Sequence, residues 1–216
     1  MPPENVKPAL AEALRHHEIG GDIALAYRLS FAGKGNSGAS FGVMQGDLAA
    51  GRPEAKKAFL AVLAAAKVPQ ERIDAITSVL HDRPHKANPL SEAETRLVNH
   101  ALAASKPIVD EMDAAIAAEV YADLDKVTAA AAAAGRTIEP KALLYVANWI
   151  NMTGRPTTLL KWVTGEPIAA IPRVGPVIDE ASVQAYLLAQ KYYRENPGVW
   201  PHMVKSVAKG ARLIEA

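Results

Sequence analysis

Apolar side chains recur at the three- and four-residue spacing of an α-helix along most of this chain. The first such helical face is formed by Val6, Leu10, Ala13, Leu14 and His17. Gly20-Gly21 follows this face and is typical of a helix end. The same spacing and capping signals predict further helices over 53–67, 69–80, from Ser91 onward, 107–120, 121–134, from Pro140 onward, 157–163, 179–194 and 201–213. We therefore predict a mostly α-helical fold.

Other segments lack this periodicity. Residues 22–32 fit either a short helix or an extended segment. Residues 33–42 are rich in glycine and serine and predict a loop or a hairpin. Prolines make 81–89 a connection and 166–178 a rigid loop. The aromatic residues of the second half are expected mainly in the core: Trp149, Trp162, Tyr186, Tyr192, Tyr193 and Trp200.

The composition narrows the function classes. The chain has 216 residues, half of them hydrophobic, which suits one large domain or a domain with a small lobe. It has 24 Lys and Arg against 23 Asp and Glu, so its balanced charge does not indicate a nucleic-acid-binding protein. It has no cysteine, which excludes disulfides, thiol catalysis and cysteine-ligated metals.

The distribution of apolar residues also bears on where in the cell the protein is found. No segment has the roughly 18 consecutive apolar residues of a membrane span, so no span is predicted. The amino-terminal residues do not resemble a secretory signal. The expectation is synthesis in the cytoplasm and, for a protein that acts on the cell wall or in the periplasm, later release or secretion.

Glu18 and the segment after it are the strongest candidates for chemistry. Glu18 lies at a helix end, where the negative end of the helix dipole and partial burial are expected to keep its carboxyl protonated. A general acid needs that state. The glycine-rich stretch that follows carries Ser37, Ser40 and Gln45, whose hydroxyl and amide groups suit a sugar. The sequence alone leaves a sugar-binding wall and an ordinary turn equally open.

Three segments resemble the lysozyme superfamily, and they occur in the family's order. Glu18, then Ala26-Tyr27, a glycine-rich turn and Ser40-Phe41-Gly42 resemble the active-site segment of phage-type lysozymes. Gly42-Val-Met-Gln45 is similar to the Gly-Leu-Met-Gln signature of goose-type lysozymes and lytic transglycosylases. The segment 147–165 is similar to the turn and helix of the phage-type carboxyl-terminal lobe.

The resemblance implies a single lysozyme-like domain over 1–216. Residues 1–52 would form a small lobe with the catalytic Glu and the glycine-rich hairpin or loop, and 53–216 a larger helical lobe, with a cleft between them. It implies peptidoglycan glycan strands as the substrate, Glu18 as the general acid and Ser40 in place of the family's threonine. No cofactor is implied. The residues expected to bind substrate are Tyr27, Ser30, Ser37, Gln45, Asn148 and Arg155.

One departure from the family bears on mechanism. Phage-type lysozymes carry an aspartate shortly after the aromatic residue, where this chain has Ser30, which cannot act as a carboxylate. Asp22 or Asp47 could replace it. Alternatively, Glu18 acts alone with the help of the substrate's N-acetyl group, as in lytic transglycosylases. Hydrolysis and transglycosylation therefore both stay open.

The resulting hypothesis is a muramidase that cleaves the bond between N-acetylmuramic acid and N-acetylglucosamine. A phage endolysin released through a holin and an antibacterial effector carried by a secretion machine both fit, and the second predicts an immunity protein as partner. The alternatives are a glycan-binding module that has lost catalysis and a glycosidase that acts on chitin or chitosan.

Other chemistries have weaker support. His16 and His17 are adjacent on a helix and point about 100° apart, which disfavours a shared metal ion. Pro84 lies between His81 and His85 and disrupts their i,i+4 alignment. Gly33-Lys34-Gly35 lacks the spacing of a phosphate-binding loop. Gly38-Ala-Ser40-Phe-Gly42 has the letters of a serine-hydrolase motif without the strand and helix around it.

Overall fold

The computed structural model describes residues 6–32, 36–49, 52–154 and 156–215. The chain forms two compact units. The first unit contains the chain up to Gly21 and from Ala118 onward, and the second contains Asp22–Ala117. The division falls after Gly21 and again after Ala117.

The first unit is built almost entirely from helices. They are α1 (Val6–Ile19), the second part of α5 (Lys106–Ala133), α6 (Pro140–Thr153), α7 (Thr157–Val163), α8 (Glu180–Leu188), α9 (Lys191–Glu195) and α10 (Trp200–Glu215). Two short strands, β4 (Thr137–Ile138) and β5 (Val177–Ile178), pair in parallel. A 3-10 turn over Pro197–Val199 precedes α10.

Helix α6 is the centre of this unit. Every residue from Ala142 to Asn151 is buried, which is the burial expected of a helix that is surrounded by other helices. Helices α1, α8 and α10 pack against it. Helix α10 lies close to α1 because Gly210 has no side chain. A Cβ there would overlap the Ala9 carbonyl oxygen and lie 2.9 Å from Ala13 Cβ.

The second unit combines a small antiparallel sheet with helices. A 3-10 helix (Ile23–Tyr27) is followed by β1 (Ser30–Phe31), β2 (Ala39–Phe41) and β3 (Gly46–Asp47), paired in the order β1-β2-β3. Helices α2 (Pro53–Ala65), α3 (Gln70–Leu80), α4 (Glu92–Ala104) and the first part of α5 complete it. Ser91 and Glu94 form the predicted capping box of α4.

The mostly helical fold is confirmed, and several boundaries differ from the predictions. The helices predicted over 107–120 and 121–134 are one continuous helix, α5. The helix predicted over 179–194 is interrupted after Leu188 and forms α8 and α9. Strands β4 and β5 were not predicted. Within the described residues, no helix is long and apolar enough to cross a membrane.

Candidate functional site

Glu18 lies in the last turn of α1, and two glycines fix where that helix ends. Gly20 and Gly21 both have positive φ angles, +63° and +88°, which a side chain would disfavour. The Arg15 guanidinium donates a hydrogen bond of 2.6 Å to the Gly21 carbonyl oxygen. These contacts hold the chain that leaves α1 against the helix, so the half-buried Glu18 has a defined position.

Asn151 orients the Glu18 carboxylate. Its side-chain Nδ2 donates a hydrogen bond of 2.9 Å to Glu18 Oε1. Asn151 lies in the last turns of α6 and is only 8% exposed. Because α6 is the buried centre of the unit, the donor is held rigidly.

Aromatic rings lie close to this carboxylate. Tyr192 and Tyr193, both in α9, have pKa values raised by burial and by the negative charge of Glu18. The Trp149 ring lies 6.5 Å from the Tyr192 ring and 5.8 Å from the Tyr193 ring, centroid to centroid. Tyr193 also meets Trp200 edge to face at 5.2 Å. The group of Trp149, Tyr192, Tyr193 and Trp200 is called the aromatic cluster below.

Tyr192 is the most exposed member of the aromatic cluster. It is 37% exposed, whereas Tyr193 is 2% and Trp149 9% exposed. An exposed ring that is backed by buried rings has little freedom to move, and it offers an apolar face to a ligand. Tyr192 thus offers the most accessible ring of the cluster beside Glu18.

His17, next to Glu18 in the sequence, is buried against α10. Burial, with a smaller contribution from His202, lowers the pKa of His17 to about 4. His202 Nε2 donates a hydrogen bond of 2.6 Å to the His17 carbonyl oxygen. The two rings lie 5.2 Å apart. His17 is therefore neutral near pH 7 and forms part of the packing that holds the end of α1.

In the second unit, Ser40 lies in the central strand β2 and is 7% exposed. Its register partners are Ser30 on one side and Asp47 on the other. The Ser30 hydroxyl donates to Gln45 Oε1 at 2.5 Å and to the Ser40 carbonyl oxygen at 3.3 Å. Four of the predicted site residues, Ser30, Ser40, Gln45 and Asp47, thus meet around this sheet.

Gln45 closes the turn between β2 and β3. Its backbone has φ of +50°, and its Nε2 donates 2.9 Å to the Gly42 carbonyl oxygen. Its Oε1 accepts from Ser30. Both ends of the Gln45 amide therefore have partners, Gly42 in the turn and Ser30 in β1.

The two reserve carboxylates accept hydrogen bonds from nearby backbone. Asp22 caps the 3-10 helix by accepting from the Ala24 N–H at 3.0 Å. Asp47 Oδ1 accepts from the N–H groups of Gly38 at 3.1 Å and Ala49 at 2.7 Å. These bonds give each carboxylate a local structural role.

Asp113, which the sequence analysis did not single out, holds the turn that contains the Gly-Val-Met-Gln segment. Its carboxylate accepts from the N–H groups of Val43 at 2.7 Å and Met44 at 2.9 Å. A Cβ at Gly42 (φ +83°) would overlap Asp113 Oδ1. Burial raises the pKa of Asp113 to about 6, although the two N–H donors act against that shift.

The other predicted residues have diverse environments. The Tyr27 hydroxyl donates to Asp110 Oδ1 at 2.7 Å, and burial followed by this bond raises the pKa of Tyr27 to about 12. The Ser37 carbonyl oxygen accepts from the His85 N–H. Asn148 is fully buried, and its Nδ2 donates to the Leu144 carbonyl oxygen, so it is a core residue. Arg155 lies outside the described residues.

The structure thus groups the predicted residues in two places. Glu18 meets the segment around Asn148, through Asn151, in the first unit. Ser30, Ser40, Gln45 and Asp47 meet in the second unit. Two signals for the missed residues were present in the sequence. Asn151 lies three positions after Asn148, and Asp113 falls on the apolar face that Val109 and Ile116 define.

Comparisons with models of known protein families, with curated protein sequences and with solved structures found no match to this chain. Across the described ranges, no three His, Asp or Glu side chains are grouped so that they could hold a metal ion.

Proposed function

We propose that this protein is a glycosidase that cleaves the bond between N-acetylmuramic acid and N-acetylglucosamine in peptidoglycan, with Glu18 as the general acid. The observation that carries the proposal is the 2.9 Å hydrogen bond from Asn151 to the Glu18 carboxylate, at the end of a helix fixed by two glycines. An acid that must protonate one particular oxygen has to be held in place.

The aromatic cluster gives a second reason. Sugar rings present flat faces of C–H groups, and such faces pack on exposed aromatic rings. Tyr192 offers a ring of this kind close enough to Glu18 for the charge of Glu18 to affect its pKa. A glycan chain packed on Tyr192 would bring its glycosidic oxygens near the acid.

The chemistry we propose uses one carboxyl group and the substrate's own N-acetyl group. The Glu18 carboxyl gives its proton to the glycosidic oxygen, the bond from that oxygen to C1 breaks, and the N-acetyl oxygen bonds to C1. The Glu18 carboxylate then takes a proton from a nucleophile, which is either water or the sugar's own 6-hydroxyl. The oxygen of that nucleophile bonds to C1 and displaces the N-acetyl oxygen. Water gives a hydrolysed end, and the 6-hydroxyl gives a 1,6-anhydro sugar.

The environment of the other acids supports a scheme with a single carboxyl. The position where phage-type lysozymes carry aspartate is occupied by Ser30, which donates to Gln45. Asp22 and Asp47 accept backbone N–H groups. We further propose a lysozyme-like fold, because a helix that ends in Glu18 precedes a three-stranded antiparallel sheet and then helices. The roles predicted for Ser40 and Gln45, the delivery route and an immunity partner stay predictions.

Digestion of purified cell-wall sacculi tests the proposal. We expect wild type to release muropeptides, and mass spectrometry distinguishes anhydro products, which are one water lighter, from hydrolysed ones. Glu18→Gln keeps the shape and removes the proton donor, so the rate should fall by about three orders of magnitude or more. Glu12→Gln is the matched control on the same helix, where Glu12 pairs with Arg15 and His16, and it should stay active. The absence of release by wild type would overturn the enzyme proposal.

A glycan-binding module without catalysis is the second candidate, and the local partners of Ser30, Asp22 and Asp47 favour it. Co-sedimentation with sacculi separates the two functions. If the protein is a binding module, wild type and the Glu18→Gln variant should both sediment with sacculi, and neither should release muropeptides. If it is an enzyme, the Glu18→Gln variant should sediment with sacculi, whereas wild type should digest them. Soluble chito-oligosaccharides in a parallel assay would identify a chitin-directed glycosidase.

A further inference from the structure

A separate depression of about 340 Å³ lies within the second unit. It is formed by the 3-10 helix, the end of α4 and the first turn of α5. Its lining combines basic side chains with small or flat apolar ones: Arg28, His100 and Lys106 with Ala24, Tyr27 and Ala103.

The basic side chains are available to a ligand. Within the described residues, the side chains of Arg28 and His100 make no hydrogen bond or ion pair. Lys106 Nζ lies 5.0 Å from the centroid of the Tyr27 ring, a cation–π contact that leaves its N–H donors for other partners. Among the lining residues, Tyr27 contacts an acid, since its hydroxyl donates to the Asp110 carboxylate. Arg28 and Lys106 therefore contribute two positive charges to a depression whose accessible lining is mostly apolar.

The walls of the depression are held in place. Tyr27 is fixed at its hydroxyl by Asp110, at 2.7 Å. Asn99, which also lines the depression, accepts from the Leu29 N–H at 2.9 Å and so ties α4 to the chain after the 3-10 helix. A site with fixed walls loses little freedom when a ligand binds.

We propose that this depression binds a carboxylate of a short peptide, and, resting on the proposed function, that this peptide is the stem peptide of peptidoglycan. The planar fork of Arg28 matches a carboxylate, and Lys106 adds a second positive charge. Ala24, Ala103 and the Tyr27 ring leave an apolar floor that suits the methyl groups of an alanine-containing peptide. Stem peptides combine these two features, since they are rich in alanine and carry free carboxylates.

Calorimetric titration with a free synthetic stem pentapeptide tests the binding directly. The double variant Arg28→Gln/Lys106→Met removes two charges and keeps both aliphatic stems. It should weaken binding about tenfold, or about 1.4 kcal/mol. Arg83→Gln/Lys57→Met removes the same two charges from exposed positions of the same unit and should bind as wild type. Added salt should weaken wild-type binding. No binding by wild type, an equal loss in the control, or equal competition by inorganic phosphate would overturn the proposal.

A kinetic arm separates this proposal from the proposed function. Wild type should show a lower KM on intact sacculi than on glycan strands stripped of peptide by an amidase, and Arg28→Gln/Lys106→Met should remove that difference with kcat unchanged. Peptide binding without cleavage of any wall substrate would support the proposed peptide site and overturn the proposed function. Cleavage with equal KM on both substrates and no peptide binding would overturn the proposed peptide site alone.

Discussion

Asn151 donates a hydrogen bond to the Glu18 carboxylate across 133 positions of sequence. The donor belongs to the buried helix α6 and the acceptor to the last turn of α1. Two elements that pack through apolar contacts thus present one polar pair at their ends. The position of the acid depends on that packing as well as on the bond itself.

Asn151→Ala should lower the rate of wall digestion about 10- to 100-fold. Losing a hydrogen-bond partner costs about 1–3 kcal/mol, and without this bond the Glu18 carboxyl group can leave the position from which it donates its proton. Muropeptide release under substrate saturation measures the effect.

Asn148→Ala is the comparison for Asn151→Ala. Asn148 lies three residues earlier on α6, is fully buried and donates to Leu144 rather than to Glu18. It should lower thermal stability and leave the rate of the folded fraction near wild type. Equal losses of rate in the two variants would show that Asn151 acts only through the stability of α6.

Tyr192→Ala should raise KM about tenfold with a smaller change in kcat. The exposed ring is proposed to pack on a sugar and does not itself transfer a proton. Tyr192→Phe keeps the ring and removes the hydroxyl, so it should resemble wild type. Steady-state rates on soluble glycan strands measure both constants. A KM for Tyr192→Ala equal to that of wild type would remove Tyr192 from the substrate site.

The helices could be predicted because their signals are local. The apolar face of α1, the Gly20-Gly21 end and the Ser91–Glu94 capping box each depend on residues within one or two turns. Strands β4 and β5 could not be predicted, since Thr137 pairs with Val177 forty positions away and each strand has two residues. The continuity of α5 was missed because an alanine-dense stretch fits one helix as well as two.

The candidate site was predictable only in part, for the same reason. Glu18 could be found from its place at a helix end, whereas its donor Asn151 depends on how α1 packs on α6. Substrate contact by Ser30 stays a prediction, and the bond of its hydroxyl to Gln45 could not be predicted because the two residues lie fifteen positions apart. Asp113 was not singled out, because its partners, Val43 and Met44, lie in a turn about 70 positions away in the sequence.

Gly210→Ala should destabilise the protein by about 1–3 kcal/mol, although alanine favours helix more than glycine does. The added methyl group would overlap the Ala9 carbonyl oxygen and press on Ala13, so α1 and α10 would have to separate. Gly198→Ala is the control, because no atom lies within 4 Å of a Cβ there. Denaturant unfolding measures both, and a Gly210→Ala variant at least as stable as wild type would contradict the close packing of the two helices.

Two buried groups should make opposite contributions to stability between about pH 4 and pH 6. The pKa of Asp113 is raised from 3.8 to about 6, so in this range the folded state binds more protons at that site, and stability falls as pH rises. The pKa of His17 is lowered from 6.5 to about 4, so in this range the unfolded state binds more protons there, and stability rises with pH. Each contribution is on the order of 3 kcal/mol.

Wild type should therefore show a nearly flat free energy of unfolding over that range, and single variants should reveal the two slopes. Asp113→Asn removes the falling contribution, so its stability should rise with pH, from a lower level because an amide cannot accept from both Val43 and Met44. His17→Leu removes the rising contribution, so its stability should fall as pH increases from 4 to 6. Urea unfolding at half-unit pH steps measures each slope. If the free energy of unfolding changed with pH in the same way for wild type and both variants, the pKa shifts of Asp113 and His17 in the folded protein would be contradicted.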